Sequence, residues 1–242
     1  MNQDSPYLPE EGIIFIDNCV FNGKENTYNH KNIDYHKRIN FFRSDTKYHK
    51  IFRRILLKRN NWLTIPEVIE EFEDGIKGLE GFIKSINSCM GYYKRFRKFK
   101  SKNSFEDYDN AKGLKKTLGL LIKEKKRLDK MLHQDFVDAT QNMTLEMQCK
   151  FKELYPIVRN TFLSKGGEPH KRDTDCKLIT TALVYSEDSQ VYLMSFDRIL
   201  LKTFSEAIEK ITDFPEPNFI IRNSQVLTTK EYLNIHNKVL VH

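Results

Sequence analysis

An α/β fold built on a parallel sheet is the class this sequence predicts, and three observations carry the prediction. Within Gly12–Ile16, the residues Ile13, Ile14, Phe15 and Ile16 form an unbroken run of β-branched and aromatic side chains that stops at Asp17. Such a run reads as a strand buried on both faces. From Asp175 to Tyr185, Leu178, Ile179, Ala182 and Leu183 recur at i, i+3, i+4 spacing, the pattern of a helix with one buried face. After the turn-like SEDSQ, Val191–Met194 is a second short apolar strand, and Asp197 lies just past its end.

Between these elements the chain reads as follows. Asn22–Lys37, rich in Asn, His, Lys and Tyr, has the composition of a loop. Lys47–Arg59 is amphipathic, with Ile51, Ile55 and Leu56 on one face and a basic outer face, which suits a core helix more than a membrane-surface one. Thr64–Phe72 carries helix-start signals: Thr64 as a cap, Pro66 in the first turn, then Glu67, Glu70 and Glu71. Val68 and Phe72 share a face, with Glu71 on its border and Glu70 on the exposed side. Phe82, Ile86, Cys89, Met90 and Tyr93 form one apolar stripe, Ser101–Asn110 reads as a polar loop, and Leu114, Leu118, Leu121, Leu128 and Leu132 follow a seven-residue seam interrupted by Lys125. These two segments are expected to pair as a helical hairpin. The chain therefore divides into a discontinuous domain, residues 1–75 and 150–242, and a helical insertion or cap at 76–149.

The chemistry is carried by four carboxylates, Asp17, Glu71, Asp175 and Asp197, each expected at a strand end or in a helix's opening turns. In a parallel sheet those positions gather at one edge. Carboxylates collected there repel one another and call for a cation. Mg²⁺ or Mn²⁺ suits hard oxygen ligands, keeps several waters and bridges to phosphate oxygens, so such a site can activate water against a phosphodiester. Asp173 is placed either to cap the helix at Asp175 or to add a metal contact. Each acid also has a structural reading as strand terminator, ion-pair partner, helix-dipole partner or turn starter; it is their joint occurrence that favours a metal site.

These stretches resemble the PIN-domain family of metal-dependent ribonucleases. The resemblance rests on IIFID at the amino end, the P-x-V-I-x-E-F pattern of Pro66–Phe72, the D-x-x-L-I-x-x-A pattern of Asp175–Ala182, and the S-x-D of Ser195–Asp197. It covers roughly residues 8–74 and 150–228. It implies a three-layer α/β/α fold with a central parallel sheet, metal-binding and catalytic roles for Asp17, Glu71, Asp175 and Asp197, and a supporting hydroxyl at Ser195. Family members commonly carry Ser, Thr or Asn two residues after the first Asp; this chain has Cys19 there and Asn18 one place earlier, so Asn18 or the backbone would take over that role.

The formal net charge of +7 and a pI near 9.0 favour an anionic partner. In Tyr92–Lys102, the cations Lys94, Arg95, Arg97 and Lys98 alternate with aromatics, as a single-stranded RNA interface does by pairing phosphate neutralisation with base stacking. A solvated helix end with inward aromatics is the plainer alternative. Lys171 and Arg172, just before Asp175, are further candidates to hold RNA. Cys19, Cys89, Cys149 and Cys176 form no C-x-x-C pair and are expected as reduced core thiols. No apolar run approaches a membrane span, and the polar, acidic MNQDSPYLPEEG is unlike a signal peptide, so a cytoplasmic protein is expected.

The sequence thus predicts a Mg²⁺- or Mn²⁺-dependent ribonuclease acting on single-stranded RNA, with the insertion as a surface for a protein partner or for self-association. Two alternatives remain open: an RNA-binding or assembly protein that keeps the fold without cleaving, and a structure-specific DNA nuclease using the same acids.

Overall fold

A computed structural model describes residues 12–22, 61–97, 105–168, 173–195, 197–212 and 225–226, and the chain forms two compact units. The first gathers the described residues of Met1–Gly23, His49–Glu70 and Phe136–His242; the second gathers those of Glu71–Asp135. The expected loop at 22–37 (beyond Asn22) and the expected amphipathic helix at 47–59 lie outside the described residues.

The first unit is α/β, with helices around a small parallel sheet. Its strands β1 (Ile13–Ile16), β2 (Trp62–Leu63), β3 (Val191–Met194) and β4 (Gln225–Val226) stand in the order β2-β1-β3-β4. All three pairings are parallel, and Ile13, Ile14, Phe15 and Ile16 sit opposite Val191, Tyr192, Leu193 and Met194. β1 and β3 are the two longer strands because both are continuous apolar runs with neighbours on each side. β2 and β4, two residues each, were not foreseen.

The α-helices of this unit among the described residues are α1 (Asn18–Asn22), the opening of α2 (Pro66–Arg97), α4 (Leu145–Ser164), α5 (Thr174–Tyr185) and α6 (Arg198–Thr212); α3 (Phe105–Gln134) belongs to the second unit. The expected face of α5 is buried: Leu178, Ile179, Ala182 and Leu183 are all inaccessible. They pack in one cluster with Phe15, Val191 and Leu193 of the sheet, Leu154, Val158 and Phe162 of α4, and Leu200, Phe204, Ala207 and Ile211 of α6. The 4-3-4 spacing of the α6 residues turns one stripe to that core. Burying each such Leu or Phe side chain stabilises by about 1.5–3 kcal/mol.

The return from the second unit is stitched beside β2. Thr64 N–H donates to the Val137 carbonyl at 3.0 Å and Ala139 N–H to the Thr64 carbonyl at 2.8 Å. Trp62 and Phe136 meet edge to face at 5.7 Å. Thr64, expected as a cap, instead donates its hydroxyl to the Ile16 carbonyl at 2.9 Å and so ties the end of β2 to the end of β1.

Gly12 leads into β1 with φ +88°, and a Cβ there would stand 2.5 Å from the Gln190 carbonyl oxygen. Both the left-handed backbone and the close approach demand glycine. Gly12→Ala is expected to lower stability by about 1–3 kcal/mol, read as a lower urea midpoint; an unchanged midpoint would contradict this tight approach.

In the second unit, α2 buries Phe72, Ile76, Leu79, Phe82, Ile83 and Ile86 at helical spacing, while α3 buries Leu121, Glu124, Leu128 and Met131. Lys125 was expected to interrupt the α3 seam, but the polar member of the buried stripe is Glu124, whose carboxylate Arg127 meets at 3.3 Å one turn on. Leu118 and Leu132 are half-buried. Helix α3 begins at Phe105, so the expected loop at Ser101–Asn110 is helical in its second half.

The units break at 70/71 and 135/136 rather than at the expected 75/76 and 149/150. The reason is visible in α4, whose Leu154, Val158 and Phe162 join the first unit's core and draw residues from Phe136 onward with them. Among the described residues no helix is long and apolar enough to cross a membrane.

Candidate functional site at the carboxyl edge of the sheet

From β1 the chain reaches β2 on one side and, after α5, β3 on the other, so the direction of strand order reverses between β1 and β3. In open parallel sheets, ligands bind beyond the strands' carboxyl ends at this kind of reversal. Asp17 and Ser195 are the residues that follow β1 and β3, one step past the Ile16–Met194 pair. Asp17 N–H donates to the Met194 carbonyl at 3.1 Å, extending the pairing to the site itself.

Asp17 is buried, with 6% of its surface exposed. Its Oδ2 accepts from Ser195 Oγ at 2.6 Å and from Cys19 Sγ at 2.7 Å, and Cys19 Sγ lies 3.3 Å from Ser195 Oγ. Ser195 Oγ in turn accepts from Asp197 N–H at 2.9 Å, so one hydroxyl links the Asp17 carboxylate to the Asp197 backbone. Burial pushes the Asp17 carboxyl above its ordinary value; the bonds from Cys19, Ser195 and Asn18 N–H pull it back, and the nearby charge of Asp197 adds to the rise. Asp197 is exposed, and its Oδ1 accepts from Ile199 N–H at 2.7 Å and Leu200 N–H at 3.3 Å, capping α6.

Asp175 lies half-buried in the first turn of α5. Five residues join Tyr185 to Val191, so α5 ends at the sheet's amino edge and opens at its carboxyl edge. Lys177, one turn in, donates to Glu67 Oε1 of α2's first turn at 2.6 Å, which places these two helix starts side by side. Asp173 takes the cap position with φ 49° but makes no side-chain cap bond. Its Oδ2 instead accepts from Tyr155 hydroxyl at 2.6 Å and Arg159 Nε at 3.2 Å, so Asp173 ties α4 to α5. Burial first, and this bond second, hold the Tyr155 phenol up at about 12.

The structure therefore brings Asp17, Ser195 and Asp197 together, sets buried Asn18 beside them as the first residue of α1, and puts Asp175 on the same edge. Glu71 is half-buried and opens the second unit's share of α2. Among the described residues no three His, Cys, Asp or Glu side chains stand close enough to hold one metal ion. Mg²⁺ does not require a closed three-ligand cage: it is commonly held by one or two carboxylates, with water and phosphate oxygens completing its shell. The Asp17–Asp197 pair has the hard-oxygen chemistry that such binding asks for.

The side chains of Lys94, Arg95 and Arg97, and all of Lys98, Lys171 and Arg172, lie outside the described residues. Cys19 was expected only as a core thiol, yet it is a donor to Asp17; its place two residues on was the available signal. Cys149 is exposed on α4 rather than in the core, while Cys176 is buried, its thiol pushed up to about 12 chiefly by desolvation and then by Asp173 and Asp175. The convergence of Tyr155 and Arg159 on Asp173 left no sequence signal beyond their i, i+4 spacing on one helix. No protein-family model matches the chain, and no curated protein or solved structure is similar enough to match it.

Proposed function

We propose that the first unit is a Mg²⁺- or Mn²⁺-dependent ribonuclease of PIN-like architecture that hydrolyses RNA phosphodiesters. One observation supports it above the others: a buried acid, Asp17, stands at the sheet's reversal point, is joined through Ser195 to the backbone N–H of Asp197, and feels the charge of that second acid. Asp17 and Asp197 would hold the cation, with Asp175 at the same edge as a third acid. When bound, the cation supplies Lewis acidity towards a phosphate oxygen and lowers the pKa of a coordinated water.

The chain's own contribution is positioning. Ser195 and Cys19 both donate to Oδ2 of Asp17 and fix its carboxylate against rotation. Capping commits Oδ1 of Asp197 to α6, so Oδ2 is the oxygen this acid has to offer. The amino end of α6 follows directly on Asp197, and its positive end favours an anionic substrate at this edge.

A second reading, an RNA-binding protein that does not cleave, draws on the lack of a three-ligand group among the described residues. Labelled single-stranded RNA, incubated with and without Mn²⁺, separates the two readings. Wild-type protein is expected to cut only with metal, and Asp175→Asn to cut at least about tenfold more slowly. Binding without cutting in both proteins, across metals, would leave the non-cleaving reading; faster cutting of flapped DNA than of RNA would make the enzyme a DNA nuclease.

A further inference from the structure

Helix α6 begins directly after Asp197 and carries a groove of about 580 Å³ along its outer face. At the end nearest Asp197 the groove is lined by Arg198 and Lys202, with Leu201 between them, while Lys165, from just past the end of α4, joins farther along beside Glu206. Ser205, Glu206 and Glu209 line the rest. Arg198 and Lys202 are both exposed, one turn apart on the same helix face, which separates them by about 6 Å along the axis. Neither forms an ion pair among the described residues.

The acids in the groove do not cancel those two cations. Glu206 pairs with Lys165 and, at 3.0 Å, with Lys210, and this double partnership holds its carboxyl below the usual range. Glu206 is thus balanced by its own lysines and Glu209 lies two turns beyond Lys202, about 10 Å along the axis, while Arg198 and Lys202 at the Asp197 end form no ion pair among the described residues. Opposite charge and position together select the occupant: a polyanion that must also present a phosphodiester to the neighbouring acids.

We infer that this groove is the track for the single-stranded RNA backbone leaving the acidic edge, with Arg198 and Lys202 each neutralising a phosphate and Leu201 supporting the sugar carbons between them. The inference rests on the ribonuclease reading for its choice of polyanion. Neither cation belongs to the basic segments that the sequence singled out at 94–98 and 171–172. Both are outward-facing on a helix whose core stripe is Leu200, Phe204, Ala207 and Ile211, so changing them leaves the packing intact.

The test is equilibrium binding of a labelled single-stranded RNA to the full chain in EDTA, by anisotropy over a range of salt, with wild type, R198E/K202E and R198K/K202R. The charge-reversed protein is expected to bind at least about tenfold more weakly at low salt. Its log–log salt slope should be shallower by about 1.4, the loss of two phosphate contacts to a single strand. The conservative pair should restore both. Circular dichroism and a thermal melt matching wild type confirm the fold. Equal affinity and slope in R198E/K202E would overturn the groove, and Mn²⁺-dependent cutting by wild type in the same preparation would show that the ribonuclease reading survives it. Conversely, weakened binding in the variant with no cutting by wild type would sustain the RNA track and remove the nuclease.

Discussion

Asp17→Asn is expected to lower metal-dependent RNA cleavage by at least about a hundredfold while leaving the protein folded. Altering a supporting partner of a metal ligand already costs about 10–100-fold, and Asp17 is placed as a ligand. The substitution keeps the shape of the side chain and an oxygen able to accept from Ser195 and Cys19, but removes the charge. The same change has a stability signature of opposite sign. Burial raises the Asp17 pKa above 3.8 in the folded protein, so the folded state holds that proton more tightly than the unfolded chain does. Its contribution is then most favourable below about 3.8 and is lost as pH rises through the raised folded value. At any pH above the unfolded value, keeping this carboxyl buried costs stability that asparagine does not lose.

Without metal, Asp17→Asn should therefore be at least as stable as wild type at pH 7, and its advantage should shrink as pH falls below the folded pKa of Asp17. Saturating Mn²⁺ should reverse the order. At a hundred times Kd, a ligand that binds only the folded state stabilises by about 2.7 kcal/mol, or about 5–10 °C for a chain of this size. That shift belongs to wild type and should be absent from the variant. Equal Mn²⁺ shifts in both proteins, or wild-type cleavage by the variant, would sink Asp17 as a ligand.

The largest loss of stability is expected from Phe15→Ala, about 3–5 kcal/mol. Phe15 is inaccessible to solvent and lies on an interior strand of the sheet, opposite Leu193 on one side and Leu63 on the other. Its ring meets Tyr185 edge to face at 5.4 Å. The Tyr185 hydroxyl donates to the Ala139 carbonyl at 2.7 Å, so the cavity would also loosen the segment that returns the chain from the second unit. Against a typical total of about 5–15 kcal/mol, this is a large fraction. Guanidinium unfolding should show a correspondingly lower midpoint, and Phe15→Leu should recover much of the loss. A change under about 1 kcal/mol for Phe15→Ala would mean that the ring is not enclosed as described.

Parts of this architecture were legible before any coordinates. β1, β3 and α5 each declare themselves within a dozen residues, because continuous apolar runs and i, i+3, i+4 repeats are local signals. The start of α2 at Pro66 was legible for the same reason. β2 and β4 were not, since two residues cannot display a period and their pairing is made by Ile14, Phe15, Tyr192 and Leu193 elsewhere in the chain. The start of α3 was misplaced because a polar, acidic stretch reads as a loop until its position at a helix amino terminus is known.

The candidate site divides in the same way. Asp17, Ser195 and Asp197 could be named from the sequence, because a carboxylate that ends a buried apolar strand has only the strand's edge to occupy. Strand order could not: that β1 and β3 are neighbours, and that order reverses between them, is decided by packing across 178 residues, the separation of Asp17 and Ser195. The same holds for the thiol that Cys19 turns to Asp17, for Asp173 taken up by Tyr155 and Arg159, and for α4 joining the first unit's core. Local sequence determines which short segments can be strand or helix and which polar groups their ends carry. Which of those ends meet, and in what protonation state, depends on contacts far apart in the chain and on the burial they create, and only the tertiary structure decides it.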